Sequence, residues 1–440
     1  MTTVRIATEL AISQVIPFLR SLIRISGLDP WRKKYLTLRQ QLRENSFLKT
    51  WQEDRHRLEL TLGDLISEEE RTGRFPLEIM TGAQYKLYAF AASFVRIYDQ
   101  LSKAGQTRLR GMLLHGLHPG ESLLSLQHEV LTIFDLVSQG FDVELNDIEN
   151  GQGGADFIAR RDGIEIEIEC KMFSGDLGRK IHNLKAYGLH KRIEAVVQQV
   201  YQSAERGIFI RITIPDRLSS APLQLNAIET ALSRGVLSGN AVTSSAECEV
   251  EVLDFQVGNS PFGAGNLENI SLKSIQDFTL NNWRRVNQQM MIMFSPGKRA
   301  VIALIESAKP DAVQKGISRQ LREASKTQFT KRRPGYLYVQ FQEMSGDQLE
   351  DLANRDTSER ANATGLQKIT NDFLRSDGHS HMNGVIYRSN GKVVRPANNP
   401  HAWIEEGPAY IFKNETGLFA RDSRYDLLPT FPTNRIDLSS

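Results

Sequence analysis

The chain has 440 residues, more than one domain usually contains, so two or three compact units are expected. Hydrophobic residues make up 40% and charged residues 24%, values that are ordinary for a folded protein and exclude long disordered stretches. The formal net charge of +2 excludes nucleic-acid binding by bulk electrostatics, so such binding would need local basic patches.

The cysteine content and the N-terminal segment bear on the compartment. Cys170 and Cys248 are the only cysteines, too few for a disulfide framework or a four-cysteine zinc site, which fits a reducing compartment. Charged residues interrupt the apolar N-terminal segment before it reaches the length of a signal peptide or a membrane span. We therefore expect a cytoplasmic protein that has no membrane partner.

Residues 1–119 place apolar side chains at spacings of three and four, the pattern of amphipathic helices. Glutamates offset the many cations of residues 32–57, which favours a solvated helix face there over a nucleic-acid groove. This part of the chain is predicted to be a helical N-terminal domain. A further helix is predicted over residues 121–138, followed by a strand over residues 141–147.

Residues 151–180 are the one stretch that suggests chemistry. A strand over residues 155–159, a turn at Asp162-Gly163 and a strand over residues 164–172 together predict a hairpin. In the second strand, isoleucines alternate with charged residues, which must share one face. These charged residues are Glu165, Glu167, Glu169 and Lys171. Three like charges on one strand face repel each other unless a cation neutralises them, so a metal ion is expected there.

The hairpin folds Asp156 of the first strand back toward Glu169 of the second, so that the two carboxylates meet around one ion. Paired carboxylates suit a hard divalent cation, Mg²⁺ or Mn²⁺, because such ions prefer oxygen ligands. Lys171 would place a positive charge where negative charge grows during attack on a phosphodiester. This combination of groups is typical of a nuclease.

Asp156, followed by Glu169-Cys170-Lys171, resembles the D…(D/E)xK signature of the restriction-endonuclease-like, or PD-(D/E)XK, nuclease superfamily. Ala155 stands where that family usually has a proline. With a helix predicted over residues 178–204 and a strand over residues 207–214, residues 120–216 have the element order α-β-β-β-α-β, which is similar to the family's core. The resemblance implies an α/β fold in which this core forms a mixed sheet.

The resemblance also implies roles for individual residues. Asp156, Glu169 and Lys171 would be catalytic, and the metal would be bound by the two carboxylates and by the backbone carbonyl of Cys170. In some members an acidic residue on the first helix reaches the metal, and Glu129 has that position. An exposed helix glutamate explains Glu129 equally well.

Two basic clusters are candidate phosphate contacts. They are Arg179, Lys180 and Lys185 after the hairpin, and Lys331, Arg332 and Arg333 in a later loop. Ordinary solvated surface is the better explanation for each residue of the first cluster alone, and it explains the second cluster equally well. Residues 217–440 mix strands with helices and are predicted to form a C-terminal α/β region, either as a separate domain or as an extension of the core sheet.

These observations favour a metal-dependent nuclease that hydrolyses phosphodiester bonds in nucleic acid, with DNA as the favoured substrate. The resemblance alone suggests a setting in bacterial defence or repair. The alternative is a binding or scaffold protein that has a nuclease-like fold and no catalytic activity. The presence of all three signature residues favours the enzyme, and the sequence leaves open a homodimer or a partner protein.

Overall fold

The computed structural model describes residues 3–4, 9–75, 81–150, 154–238, 242–263, 274–275, 277–279, 288–345, 365–394, 402–406, 409–427 and 435–437. The chain divides into two compact units. The first unit comprises Met1–Arg43, Lys49–Gly175 and Gln314–Ser440, and the second comprises Glu44–Leu48 and Asp176–Val313.

Helices and strands alternate along most of the described chain, so the protein is a mixed α/β protein. The helices are α1 (Ile12–Ser26), α2 (Leu28–Glu44), α3 (Lys49–Arg55), α4 (Arg57–Thr72), α5 (Gly82–Gln100), α6 (Lys103–Gly116), α7 (Leu124–Ser138), α8 (Asn146–Asn150), α9 (Asn183–Ser203), α10 (Pro222–Ser238), α11 (Val313–Thr327) and α12 (Leu366–Leu374). None of the helices in these ranges is both long and apolar enough to cross a membrane.

The strands range in length from the two residues of Thr3–Val4 to the eleven of Gly335–Ser345. They are β1 (Thr3–Val4), β2 (Glu9–Ala11), β3 (Asp142–Leu145), β4 (Phe157–Arg161), β5 (Ile164–Phe173), β6 (Gly207–Ile214), β7 (Val242–Ser244), β8 (Glu249–Phe255), β9 (Gln288–Ser295), β10 (Arg299–Ser307), β11 (Gly335–Ser345), β12 (Met382–Asn390), β13 (Lys392–Val394), β14 (Ala402–Glu406), β15 (Ala409–Lys413) and β16 (Arg435–Asp437).

The first unit is organised around a seven-stranded sheet with the order β1-β3-β4-β5-β11-β12-β15. The strands β3, β4 and β5 pair antiparallel, whereas β5, β11 and β12 pair parallel, so the sheet is mixed. Ile164, Ile166 and Ile168 of β5 are buried in one hydrophobic core with residues of α1, α4, α5 and α7. Helices of residues 1–119, the predicted helical N-terminal domain, therefore share a core with the sheet.

The second unit has its own five-stranded sheet, with the order β7-β8-β6-β10-β9. The strands β6 and β10 pair parallel, and their apolar residues pack with α9 and α10 in a separate core. The chain enters and leaves this unit at adjacent points, because the amide of Ala312 donates to the carbonyl of Gly178 over 2.8 Å.

The predicted continuation of the sheet is wrong in one respect. The helix and strand that were expected to complete the α-β-β-β-α-β core exist as α9 and β6, but β6 lies in the five-stranded sheet of the second unit. The neighbour of β5 is β11, in the C-terminal part of the chain. A strand's apolar pattern shows that it lies in a buried sheet but does not specify its partner, because many strands satisfy the same pattern.

Candidate active site

The hairpin predicted for residues 155–172 is confirmed. Asp162 and Gly163 form its turn with φ values of 52° and 77°, the left-handed geometry that two-residue hairpin turns require. The register pairs Phe157 with Ile168, which places the preceding residue, Asp156, directly opposite Glu169. Residues directly opposite each other on paired strands project to the same face, so the two carboxyl groups are brought together by the turn.

The structure brings Asp156, Glu169 and Lys171 into one cluster. The amide of Cys170 donates to Asp156 Oδ2 over 2.7 Å, and the amide of Asp156 donates to Glu169 Oε2 over 3.3 Å. Lys171 Nζ lies 2.5 Å from Glu169 Oε1. The side chain of Glu169 is only 3% exposed and that of Lys171 is 29% exposed, so the ion pair faces a largely dry environment.

Glu129 of α7 belongs to the same cluster. Burial raises its pKa well above the ordinary value, and the charges of Asp156, Glu169 and Asp147 raise it further. Asp147 in α8, which is exposed, is an acidic neighbour that the sequence did not single out. The sequence feature that could have identified Asp147 is its position shortly after β3, the strand that pairs with β4.

A buried polar cluster anchors α7 against the sheet and so positions Glu129. Arg388 of β12 donates from Nη2 to Asp135 Oδ2 of α7, and the hydroxyl of Tyr338 donates to the same oxygen over 3.3 Å. His128 Nε2 lies 2.9 Å from the carbonyl oxygen of Tyr338. Burial lowers the pKa of His128 to about 4, so this ring is neutral near pH 7.

The carboxyl groups of the cluster resist ionisation. Burial raises the pKa of Asp156 to about 6, although the amide of Cys170 and the charge of Lys171 act in the opposite direction. Burial and the charge of Asp156 together raise the pKa of Glu169 to about 7. Burial opposes the charge on Lys171, but Glu169 and Asp156 outweigh it and raise the lysine pKa. One ammonium group therefore compensates several carboxylates only in part.

The expectation of repulsion among the glutamates of β5 is wrong for Glu165 and Glu167, because arginines neutralise them. Glu165 accepts from Arg160 Nε over 2.7 Å and from Arg333 Nε over 2.6 Å. Glu167 is buried and accepts from Arg333 Nη1 over 3.2 Å, from the hydroxyl of Thr330 over 2.5 Å and from its amide over 2.9 Å. At the other end of the strand, Glu169 contacts one cation, Lys171, whose charge also acts on Asp156.

The side chain of Cys170 is half-buried and lies against the hydrophobic core of the first unit. Burial raises the pKa of the thiol well above the ordinary value, as do the charges of Asp156 and Glu129, so the sulfur is protonated near pH 7. The thiol is therefore unsuited to bind a metal as a thiolate, and the role of the Cys170 carbonyl stays a prediction.

The basic residues that were predicted to contact phosphate differ in their ion pairing and exposure. Arg333 is held by Glu165 and Glu167, so its charge is already compensated. Lys331 and Arg332 are exposed beside it. The remaining candidates belong to the second unit, where Lys180 Nζ is bonded to Asp216 Oδ1 over 2.6 Å. These other candidates are Arg179 and Lys185, both half-buried.

A resident metal would have to be held by few protein ligands. Within the described ranges, no group of three or more His, Cys, Asp or Glu side chains has an arrangement that could hold a metal ion by itself. Mg²⁺ commonly uses one or two carboxylates, several waters and the phosphate oxygens of the substrate. The adjacent carboxylates of Asp156 and Glu169 fit that mode, and their all-oxygen donor set disfavours Zn²⁺.

Comparison of the chain with protein-family models, with curated proteins and with solved structures found no match. The function of the cluster therefore has to be inferred from its own residues.

Proposed function

We propose that the protein is a metal-dependent nuclease whose active site is formed by Asp156, Glu169 and Lys171. The observation that carries this proposal is the pairing of Asp156 with Glu169 across the hairpin, with Lys171 in contact with Glu169. Carboxylates with raised pKa values in a largely buried position are costly, and a divalent cation with a phosphate ligand would compensate them.

The topology of the first unit supports the same proposal. When residues 176–313 are regarded as an insertion, the remaining order is α7, β3, β4, β5, α11 and β11, with the short α8 between β3 and β4. This is the order α-β-β-β-α-β, with Asp156 directly before the second strand, Glu169 on the third and β11 parallel to β5. We propose that these elements form the nuclease-like core that the signature implied.

Each residue has a distinct chemical part in the proposed reaction. Asp156 and Glu169 would hold a Mg²⁺ or Mn²⁺ ion, which when bound polarises a phosphoryl oxygen and lowers the pKa of a water molecule. Lys171 keeps a proton on Nζ and places its charge beside Glu169, where negative charge accumulates on the phosphoryl group. The limited exposure of both side chains strengthens these electrostatic effects by excluding water.

The test is cleavage of labelled DNA and RNA by the purified protein with Mg²⁺, with Mn²⁺ and with EDTA. We expect metal-dependent cleavage that falls by on the order of a hundredfold or more in Lys171→Ala and in Glu169→Gln. Glu165→Gln is the matched control, because Glu165 lies on the same face of β5 but is paired with Arg160 and Arg333.

Three outcomes of this experiment are informative. Cleavage that persists in EDTA, or in both site variants, would place the activity elsewhere. A folded protein that binds nucleic acid without cleaving any of these substrates would favour the scaffold alternative. The preference for DNA, and a setting in bacterial defence or repair, are proposed on the resemblance alone.

A further inference from the structure

A groove in the first unit, between α11 and α12, is lined mainly by basic side chains. It has a volume of about 650 Å³ and is open to solvent. Its basic lining residues are Lys315, Arg319, Arg322 and Lys326 of α11 and Lys368 of α12. Within the described part of the chain, none of these five side chains forms an ion pair, although the carboxylates of Glu323 and Asp372 also line the groove.

The four cations of α11 form one stripe along the helix. At 100° per residue, positions 315, 319, 322 and 326 fall within an arc of about 60° and extend over about 16 Å of the helix axis. The opposite face is apolar and is buried against the rest of the unit through Ile317, Leu321 and Ala324. The stripe is therefore held in a fixed orientation and faces solvent.

Some other exposed arginines of this unit do have carboxylate partners. Arg32 is paired with Glu70, Arg39 with Asp64 and Arg71 with Glu68. Like charges at spacings of three and four along one helix face repel each other and destabilise the helix. An external polyanion bound in the groove would relieve the repulsion within this stripe of four charges.

The positive charge continues from the groove toward the strand that carries Glu169. After α11 ends, the chain passes through the exposed Lys331 and Arg332, and Thr330 of the same loop bonds to Glu167 of β5. Burial and the charge of His381 lower the pKa of His379, and the charges of Lys326, Arg322 and Lys331 lower it further, so all three cations act on this one ring.

We propose that the groove between α11 and α12 binds the sugar-phosphate backbone of nucleic acid and leads the strand toward β5. This inference rests on the proposed function in taking nucleic acid as the ligand. Phosphate contacts come mostly from lysine and arginine and carry no sequence information, which matches a groove lined mainly by such side chains. Ile369 is its one apolar lining residue, so the groove lacks the apolar anchors of a protein-docking site or a membrane-binding face.

The test compares two variants with the same loss of charge. The groove variant carries Arg319→Ala, Arg322→Ala and Lys326→Ala. The control carries Arg24→Ala, Lys33→Ala and Arg421→Ala, three exposed cations of the same unit that lie outside the groove. Binding of fluorescent oligonucleotides, single-stranded and duplex, is measured by anisotropy in EDTA over a range of KCl concentrations, and thermal melting verifies that both variants fold.

We expect the groove variant to bind at least tenfold more weakly than the wild type and the control to differ from it by less than threefold. The slope of log K against log salt concentration should become smaller in magnitude by about 2 to 3, because each lost phosphate contact removes roughly 0.7–0.9 from it. Equal weakening in both variants would overturn the proposal. So would displacement of the oligonucleotide by polyglutamate at equal charge concentration, since that would identify an acidic protein as the ligand.

The outcomes separate this proposal from the catalytic one. If the wild type binds through the groove but cleaves nothing, the nuclease proposal fails and the groove stands. If the wild type cleaves and the groove variant binds and cleaves as the control does, the groove proposal fails and the nuclease stands.

Discussion

The position of Glu169 disfavours the ionised form of its carboxyl group. Its side chain is almost completely buried, and Asp156 lies opposite it, so its pKa is raised to about 7. A carboxyl group with a raised pKa in the folded state keeps a proton that the unfolded chain has already released at the same pH. Its contribution to stability is therefore present at low pH and is lost as the pH rises from about 4.5 to about 7.

The loss of stability with rising pH can be tested in the metal-free protein. In EDTA, the free energy of unfolding of the wild type should fall between pH 5 and pH 8 by on the order of 2 kcal/mol more than that of Glu169→Gln. The amide has no proton to lose, so the variant lacks this part of the pH dependence. Urea denaturation at several pH values measures the difference.

Glu165→Gln is the control for this experiment, because the hydrogen bond from Arg160 lowers the pKa of Glu165 instead of raising it. Added Mg²⁺ should raise the melting temperature of the wild type at pH 8 and leave that of Glu169→Gln almost unchanged, since a ligand that binds only the folded state stabilises it. Parallel pH profiles for the wild type and Glu169→Gln would contradict the prediction.

At the scale of the element, the four charged residues on one face of β5 form two pairs with different contacts. Glu165 and Glu167 join the strand to Arg160 of β4 and to Thr330 and Arg333 of the loop that precedes β11. Glu169 and Lys171 form the candidate site. The first pair thus links β5 to the loop before its parallel partner strand, and the second pair forms the proposed catalytic site.

We predict that Glu167→Ala destabilises the protein. The change removes the buried carboxylate that accepts from the amide and hydroxyl of Thr330 and from Nη1 of Arg333, at a cost of about 1–3 kcal/mol. Glu165→Ala should cost less than half as much, because the Glu165 side chain is 37% exposed and water can replace it. The midpoint of urea unfolding measures both changes. Equal stability of the Glu167→Ala variant and the wild type would show that the loop is held by other contacts.

The hairpin was predictable from the sequence because its determinants are local. The Asp162-Gly163 turn fixes the register, and the alternation of Ile164, Ile166 and Ile168 with charged residues fixes the faces. The arrangement of Asp156 opposite Glu169 follows from those two features alone.

The partner strand and the neutralisation of the glutamates were not predictable in the same way. The strand β11 is separated from β5 by the whole second unit, and β6 has an equally suitable apolar pattern closer in sequence. The contact of Arg333 with Glu165 and Glu167 depends on that long-range pairing, so no local pattern could indicate it. Strand pairing over such distances is decided by the packing of the whole unit.

At the scale of the whole molecule, the second unit is an insertion between β5 and α11, apart from Glu44–Leu48. Its two ends are joined at their base, because the amide of Ala312 bonds to the carbonyl of Gly178 and the amide of Lys180 bonds to Asp311 Oδ1 over 2.7 Å. Insertions are tolerated when the ends of the inserted part are close together, since the host then needs no rearrangement.

We predict that the first unit folds without the insertion. A variant in which residues 179–311 are replaced by three glycine and serine residues should unfold cooperatively and keep the part of the pH dependence that Glu169→Gln removes, because the cluster around Glu169 lies entirely in the first unit. A short linker suffices, since Gly178 and Ala312 are already within hydrogen-bonding distance.

Phe47 packs in the core of the second unit and would be exposed by the deletion, so the deletion variant carries Phe47→Ser. Full-length Phe47→Ser is the matched control. A deletion variant without cooperative unfolding, beside a folded control, would show that the first unit depends on the insertion for its stability.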